Sequence, residues 1–341
     1  MNTAGIGRRS ALRALITLPA VALLPLTASY TATAITTGST DDLPTGSAGG
    51  DDLGSRPAPD WMKGIADACS LTALSVPGSH DTMAYLGTIL AQTQSSDLPT
   101  QLAAGVRAID IRTRHFRDGF PIHHGIEYLH TDFTDVVRQL SVFLRAHPGE
   151  AILMRLKEES TPAENTRSYE ATLNWYIHQN PQTRDLLSAY LWKPPTGYDG
   201  SIPALGEVRG KIVVLQDFSA SKIYGPRWDG AHMDIQDDYE LASLADVPSK
   251  WNSVSRQFDA ARGGSAQTLF INHLSATGTD PLAIAQGTVP VTVARGAPGV
   301  VGILERTQGH LSSDPTGRTG VVMADYPTTA IVGAVIARNM P

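Results

Sequence analysis

Cysteine is almost absent: Cys69 is the one thiol in 341 residues, so no intrachain disulfide can form. A chain of this length buries enough surface to fold without one. Charge is sparse as well, at 18% of residues, and there is no basic surplus: 27 Lys and Arg against 33 Asp and Glu give −6. That balance excludes a broad nucleic-acid footprint, which needs clustered positive charge. It also excludes a purely electrostatic grip on anionic lipid, so any membrane contact should be local and apolar. After residue 60 there is no internal repeat, no low-complexity tract and no apolar run long enough to span a bilayer. Residues 59–341 therefore read as one domain.

The N-terminal region has a different character. Arg8 and Arg9 precede an apolar run over residues 14–26, and small residues follow, ending Ala32-Thr33-Ala34. A basic start, an apolar middle and an A-x-A end form the pattern of an export signal peptide, and the adjacent arginines also fit a twin-arginine signal. The run is too short for a membrane anchor, and Pro19 and Pro25 interrupt it. Removal of residues 1–34 takes three arginines and no acid, leaving 24 basic against 33 acidic residues, or −9. The expectation is a secreted protein. Residues 35–58 are Thr, Ser, Gly and Asp with few large apolar side chains, the composition of a flexible leader.

Short aliphatic runs punctuate the remaining block, at 74–76, 106–111, 151–156, 212–215, 268–271, 300–304 and 321–323. Nearly continuous apolar runs suit strands covered on both faces, as in a parallel sheet. Between them, residues 133–147 place Val136, Val137, Leu140, Phe143 and Leu144 at helical spacing before a Pro148-Gly149 stop. This alternation predicts an α/β fold, and the size favours a single TIM-type (β/α)8 barrel, with room for distortion, over a doubly wound sheet.

Ionisable residues gather at the ends of those runs. Ser79-His80-Asp81 closes the first, Asp110-Ile111-Arg112 the second, and Lys157-Glu158-Glu159 the run beginning at Ala151; Asp325-Tyr326 closes the last. His123-His124-Gly125 stands between the second and third. In a barrel these strand ends face one mouth. Two histidines can exchange protons near neutral pH, and an arginine can clamp phosphoryl oxygens, so the set fits phosphate-ester chemistry. Singly, each residue has an ordinary reading as packing, turn or solvated charge; four run ends and one intervening motif carrying such groups shift the balance.

Gly78-Ser79-His80-Asp81, Ala108-Ile109-Asp110-Ile111-Arg112 and His123-His124-Gly125 resemble the X-region motifs of phosphatidylinositol-specific phospholipase C. The likeness to the secreted bacterial branch continues through Met154-Arg155-Leu156-Lys157, Gly210-Lys211-Ile212-Val213, Gln236-Asp237-Asp238-Tyr239 and Asp325-Tyr326. The resemblance implies cleavage of phosphatidylinositol to diacylglycerol and inositol 1,2-cyclic phosphate. It makes His80 the general base with Asp325 as its partner, His124 the general acid supported by Asp81, and Arg112 the phosphate ligand beside Asp110. Lys157, Glu159, Asp237, Tyr239 and Ser275 match positions that recognise the inositol ring. Asp217 stands where the family often has an arginine touching ring hydroxyls, and His273 stands where an apolar residue is expected. Calcium-using relatives carry an acidic residue in place of Arg112, so neither metal nor cofactor is expected. The implied partner is a membrane surface containing phosphatidylinositol, met transiently by a monomer. Leu86, Ile89 and Leu90, with Leu282 and Ile284, would reach it from a barrel rim, although aliphatics of this kind are more often core. Two alternatives stay open: a metal-dependent glycerophosphodiesterase or sphingomyelinase-D-like enzyme, and an inositol-lipid-binding barrel without catalysis.

Overall fold

The computed structural model describes residues 53–340; the export signal at 1–34 and most of the leader lie outside the described residues. Nine strands make one sheet: β1 Val76–Ser79, β2 Ala108–Thr113, β3 Pro121–His124, β4 Glu127–Asp132, β5 Ala151–Glu158, β6 Lys211–Asp217, β7 Met233–Gln236, β8 Leu269–His273 and β9 Val321–Ala324. Seven run parallel, in the order β7-β8-β9-β1-β2-β5-β6, while β3 and β4 form an antiparallel hairpin attached to β2. Helices pack around this curled sheet. The aliphatic runs do what their composition implies: β5 from Ala151 to Leu156 and β6 from Ile212 to Leu215 are buried throughout.

The barrel is distorted. β6 and β7 do not pair; the segment at 226–228 lies along the free edge of β6 instead, with Gln216 N donating to Pro226 O and Trp228 N to Gln216 O. Gly225 permits that approach, because a Cβ there would collide with the Val214 carbonyl.

The helix Phe133–Ala146 forms as its spacing predicts. The Asp132 side chain accepts from Thr134 N and Asp135 N at its start, and Val136, Val137, Leu140 and Leu144 are buried. Residues 300–304 correct the strand reading: Val300–Val301 pairs briefly with Gly296–Ala297, and Ile303 and Leu304 open the helix Ile303–Ser313. Ile303, Leu304, Thr307 and Leu311 are its buried face, so the 3- and 4-residue spacing outweighs β-branching. β7 escaped notice because Met233-Asp234-Ile235-Gln236 is half polar at a sheet edge. The ordered chain also reaches back into the stretch read as leader: Leu53 is buried in the core and Ala58 N donates to Ala103 O. Among the described residues no helix is long and apolar enough to cross a membrane.

Candidate active site

The parallel register puts the ionisable residues at one mouth. Ser79 of β1 lies opposite Ala324 of β9, so the next residues, His80 and Asp325, emerge side by side. His80 N donates to Ala324 O, and the Gln94 amide ties both turns by donating to His80 O (2.6 Å) and Ala324 O (3.1 Å). Asp81 and Tyr326, the next residues in each chain, have φ of +44° and +48°. Two consecutive strand exits thus turn through left-handed non-glycine residues, the kind of local strain that surrounding structure must hold. Neighbours do hold Asp81: its N–H donates to Asp110 Oδ2, and Thr82 N donates to Asp110 O.

His80 is fixed at both ring nitrogens. Nδ1 is 2.7 Å from Asp325 Oδ1, and Nε2 is 2.6 Å from Arg112 Nη2. A guanidinium can only donate, so Nε2 is the acceptor and Nδ1 carries the proton given to Asp325. His124 faces it across the cleft, with ring centroids 6.4 Å apart and planes at 88°. Its Nδ1 hydrogen-bonds Ala91 O at 2.7 Å, and a carbonyl can only accept, so that nitrogen also carries the proton. Asp81 Oδ2 lies 3.1 Å from the same nitrogen, within ionic contact.

Arg112 is the centre of charge. Nε donates to Asp110 Oδ2 at 3.0 Å, while Nη1 lies 3.6 Å from Asp81 and 3.8 Å from Glu159. Burial works against the Asp110 charge, yet Arg112 and Arg155 outweigh it and hold that carboxyl well below the usual range. Glu159 is depressed in the same way by Arg112 and Lys157. Asp81 goes the other way, pushed up to about 6 chiefly by burial; neither of its oxygens has a hydrogen-bond partner. Burial, then Arg112, lowers His80 well below an ordinary imidazole, and burial raises Asp325. The pair is therefore set to share one proton, with a neutral imidazole presenting its Nε2 lone pair.

A cleft of about 270 Å³ opens over this cluster. His80, Arg112, His124 and Asp325 line it, together with Lys157, Glu159, Asp237, Tyr239 and Ser275. Asp81 and Asp110 are fully buried beside Arg112. Lys157 Nζ is paired to Glu159 Oε2 at 2.8 Å, and Gly125 N donates to Glu159 Oε1. Asp217 is not part of the lining: it accepts two hydrogen bonds from Arg155, whose guanidinium stacks on Trp228 at 4.1 Å.

His273 is completely buried, edge-on to both His80 (5.7 Å) and Trp228 (6.0 Å), and burial pushes it down to about 4. Sequence reasoning passed over Arg155, Gln94 and Lys250. Arg155 sits in the motif beside Lys157, which was the one available signal; the other two carry none. Among the described residues no group of three or more His, Cys, Asp and Glu is placed to hold a metal ion. The three carboxylates around Arg112 are already turned toward its guanidinium. In chemical terms the site offers one neutral histidine as a base, a second histidine beside a carboxylate as an acid, and a fixed cation between them.

Comparison with known proteins points to one family. Residues 70–217 match the family described as Phosphatidylinositol-specific phospholipase C, X domain. The chain is 30% identical over 295 residues to a 1-phosphatidylinositol phosphodiesterase of Listeria monocytogenes, covering 82% of this chain and 84% of that one. It is 32% identical over 261 residues to a 1-phosphatidylinositol phosphodiesterase of Staphylococcus aureus, covering 65% and 81%. The solved phosphatidylinositol-specific phospholipase C from Listeria monocytogenes superposes with a TM-score of 0.68 at 30% identity, over 84% of this chain and 100% of the other.

Proposed function

This chain belongs to the phosphatidylinositol-specific phospholipase C family, and from that membership we propose that it cleaves phosphatidylinositol to diacylglycerol and inositol 1,2-cyclic phosphate. One observation carries the mechanism: two imidazoles stand 6.4 Å apart across Arg112, each with its Nδ1 proton committed to an acceptor. Each Nε2 is then the nitrogen left for chemistry. His80 takes the proton of the inositol 2-hydroxyl as its oxygen attacks phosphorus. The bond from phosphorus to the diacylglycerol oxygen breaks, and His124, entering the step as the imidazolium beside Asp81, gives its Nε2 proton to that oxygen. Arg112 transfers its Nη2 donor from His80 to a phosphoryl oxygen and stabilises the charge gathering there.

The nucleophile is part of the substrate. Well-aligned internal attack reaches effective molarities of roughly 10⁵ M or more. Each positioned proton transfer adds about 10²–10⁴ in rate. Lys157, Glu159, Asp237, Tyr239 and Ser275 then bind the ring hydroxyls. A metal-dependent phosphodiesterase would have to seat a cation where the Arg112 guanidinium already lies against Asp81, Asp110 and Glu159. A binding protein without catalysis would have no use for two histidines that each keep a carboxylate neighbour.

Membrane contact comes from a lip beside His124. Leu86, Ile89 and Leu90 are half or more exposed, and Ile126 is 94% exposed. The Thr88 amide and hydroxyl both donate to Glu127, joining that loop to the β3–β4 turn. Leu282 is exposed as well. This apolar lip dips into the bilayer without help from net charge. The protein works outside the cell as a monomer, exported by the signal peptide at residues 1–34.

The mechanism is tested with His80→Ala and His124→Ala. Both lose turnover of phosphatidylinositol by orders of magnitude while circular dichroism is unchanged. His124→Ala regains much of its rate on a phosphodiester whose aryl leaving group needs no proton. Near-normal turnover of phosphatidylinositol by either variant rejects the two-histidine mechanism.

A further inference from the structure

We infer that Lys250, on the outer helix Val247–Gly263, is a positioning residue for the cleft wall that carries Asp237, Tyr239 and Ser275; this rests on the function proposed above. Lys250 is 2% exposed, and an ammonium is costly to bury. Packing alone would favour an apolar residue on the buried face of this helix. Its placement has a purpose beyond packing, because Nζ donates to Gln236 Oε1 at 3.0 Å, at the last residue of β7.

Gln236 is where three elements are tied together. The same Oε1 accepts from Asp238 N at 2.8 Å, which sets the turn between Asp237 and Tyr239. Its Nε2 donates to Asn272 Oδ1 and to His273 O, both at 2.8 Å, at the end of β8. Asn272 in turn donates to Val254 O, one helical turn beyond Lys250. The loop bearing Asp237 and Tyr239 and the strand end leading to Ser275 are thus cross-linked to one helix through a single half-buried amide. Lys250 orients that amide by claiming its oxygen.

The charge matters too. Asp237 and Asp238 face Lys250 from the loop after β7, Asp325 from the end of β9, and His273 from β8. On the outer side, Asp238, Glu240 and Asp246 border a hollow that also reaches Lys250. The ammonium balances the carboxylates on the ring-binding wall, and burial pushes it down to about 8. Ring binding should therefore weaken as the pH rises past that point.

Lys250→Met keeps the volume and removes both donor and charge. It is expected to raise KM for phosphatidylinositol roughly tenfold while kcat stays nearly unchanged, the signature of lost uniform binding. Wild-type KM rises above about pH 8, and the variant's KM does not. Folding behaves oppositely. A lysine whose pKa falls from 10.5 on folding destabilises the native state most below about pH 8, and the penalty fades as pH rises toward 10.5. The Met variant should therefore melt no lower than wild type at pH 7, which separates positioning from structural support. A variant whose KM profile superimposes on that of the wild type overturns the inference. If Lys250→Met does not fold, a wild-type KM that stays flat through pH 8 overturns it equally. If the wild type does not cleave phosphatidylinositol at all, the proposed function fails separately. Lys250 is then judged by hydrogen exchange at the Asp238 amide in the free protein, where faster exchange in Lys250→Met supports the role and unchanged exchange rejects it.

Discussion

Asp325→Asn removes one charge from the His80 pair without changing its shape. Arg112 donates to His80 Nε2, so the ring must keep its proton on Nδ1, and Asp325 Oδ1 accepts it at 2.7 Å. Asparagine can still offer its carbonyl oxygen there, but without the anion that stabilises the imidazolium formed during proton transfer. A hydrogen bond to a charged group is worth about 1.5–3 kcal/mol, which corresponds to roughly 10- to 150-fold in rate. If the amide instead turns its NH₂ to the ring, Nδ1 must become the acceptor, and Nε2–H then meets the Arg112 donor. That arrangement costs more. Burial already raises the Asp325 carboxyl, so a neutral isostere should leave the melting temperature unchanged or higher. The assay is kcat on phosphatidylinositol, with thermal melting as the control on folding. A kcat within twofold of wild type in a folded Asp325→Asn protein would refute the coupling of base and carboxylate.

Asp81→Asn separates stability from activity. An acid raised from 3.8 to about 6 by folding stabilises the native state most at low pH, and that contribution is lost as pH climbs through this window. Calorimetry should show the variant melting higher than wild type near pH 7, with the gain shrinking toward pH 4, while kcat falls as His124 loses its ionic neighbour; a lower melting point at pH 7 would contradict this reading. Arg112→Lys keeps a charge but not the fork that meets several oxygens, and should cut kcat by about 10² or more, as loss of a preorganised donor does. Ile89→Ser with Ile126→Ser removes two exposed side chains from the lip, each worth about 1.5–3 kcal/mol if fully buried in lipid. Sedimentation with phosphatidylinositol vesicles should show markedly weaker binding, with hydrolysis of a soluble short-chain substrate retained; unchanged vesicle binding would place the membrane contact elsewhere.

Much of this site was legible because the chemistry sits at strand ends and the strands are aliphatic. A run such as Ala151-Ile152-Leu153 announces a doubly covered strand, and the ionisable residue that closes it points to the mouth. Pairing across the sheet was not legible. Nothing local to residues 79–81 says that β1 neighbours β9, so the His80–Asp325 bond rested on resemblance alone. The same limit hid Lys250 and Gln94, whose partners are brought by the fold and not by sequence spacing. Val300 to Leu304 misled because β-branching suggests a strand, whereas the buried Thr307 and Leu311 downstream decide for a helix. Ile126 was missed because a single apolar residue in a turn has no periodicity to reveal it. Asp217 stands where the resemblance would put an arginine at the ring, and Arg155 from the adjacent strand holds it outside the cleft lining.

Phosphorus NMR of the purified protein with phosphatidylinositol micelles in excess chelator bears most directly on two-histidine cyclisation. A five-membered cyclic phosphodiester signal should appear first, with inositol 1-phosphate following slowly as the histidines exchange roles. Inositol 1-phosphate appearing first, with no cyclic intermediate, would mean that water and not the 2-hydroxyl is the nucleophile. Activity that returns only when calcium is supplied would mean that Arg112 does not carry the phosphoryl charge by itself.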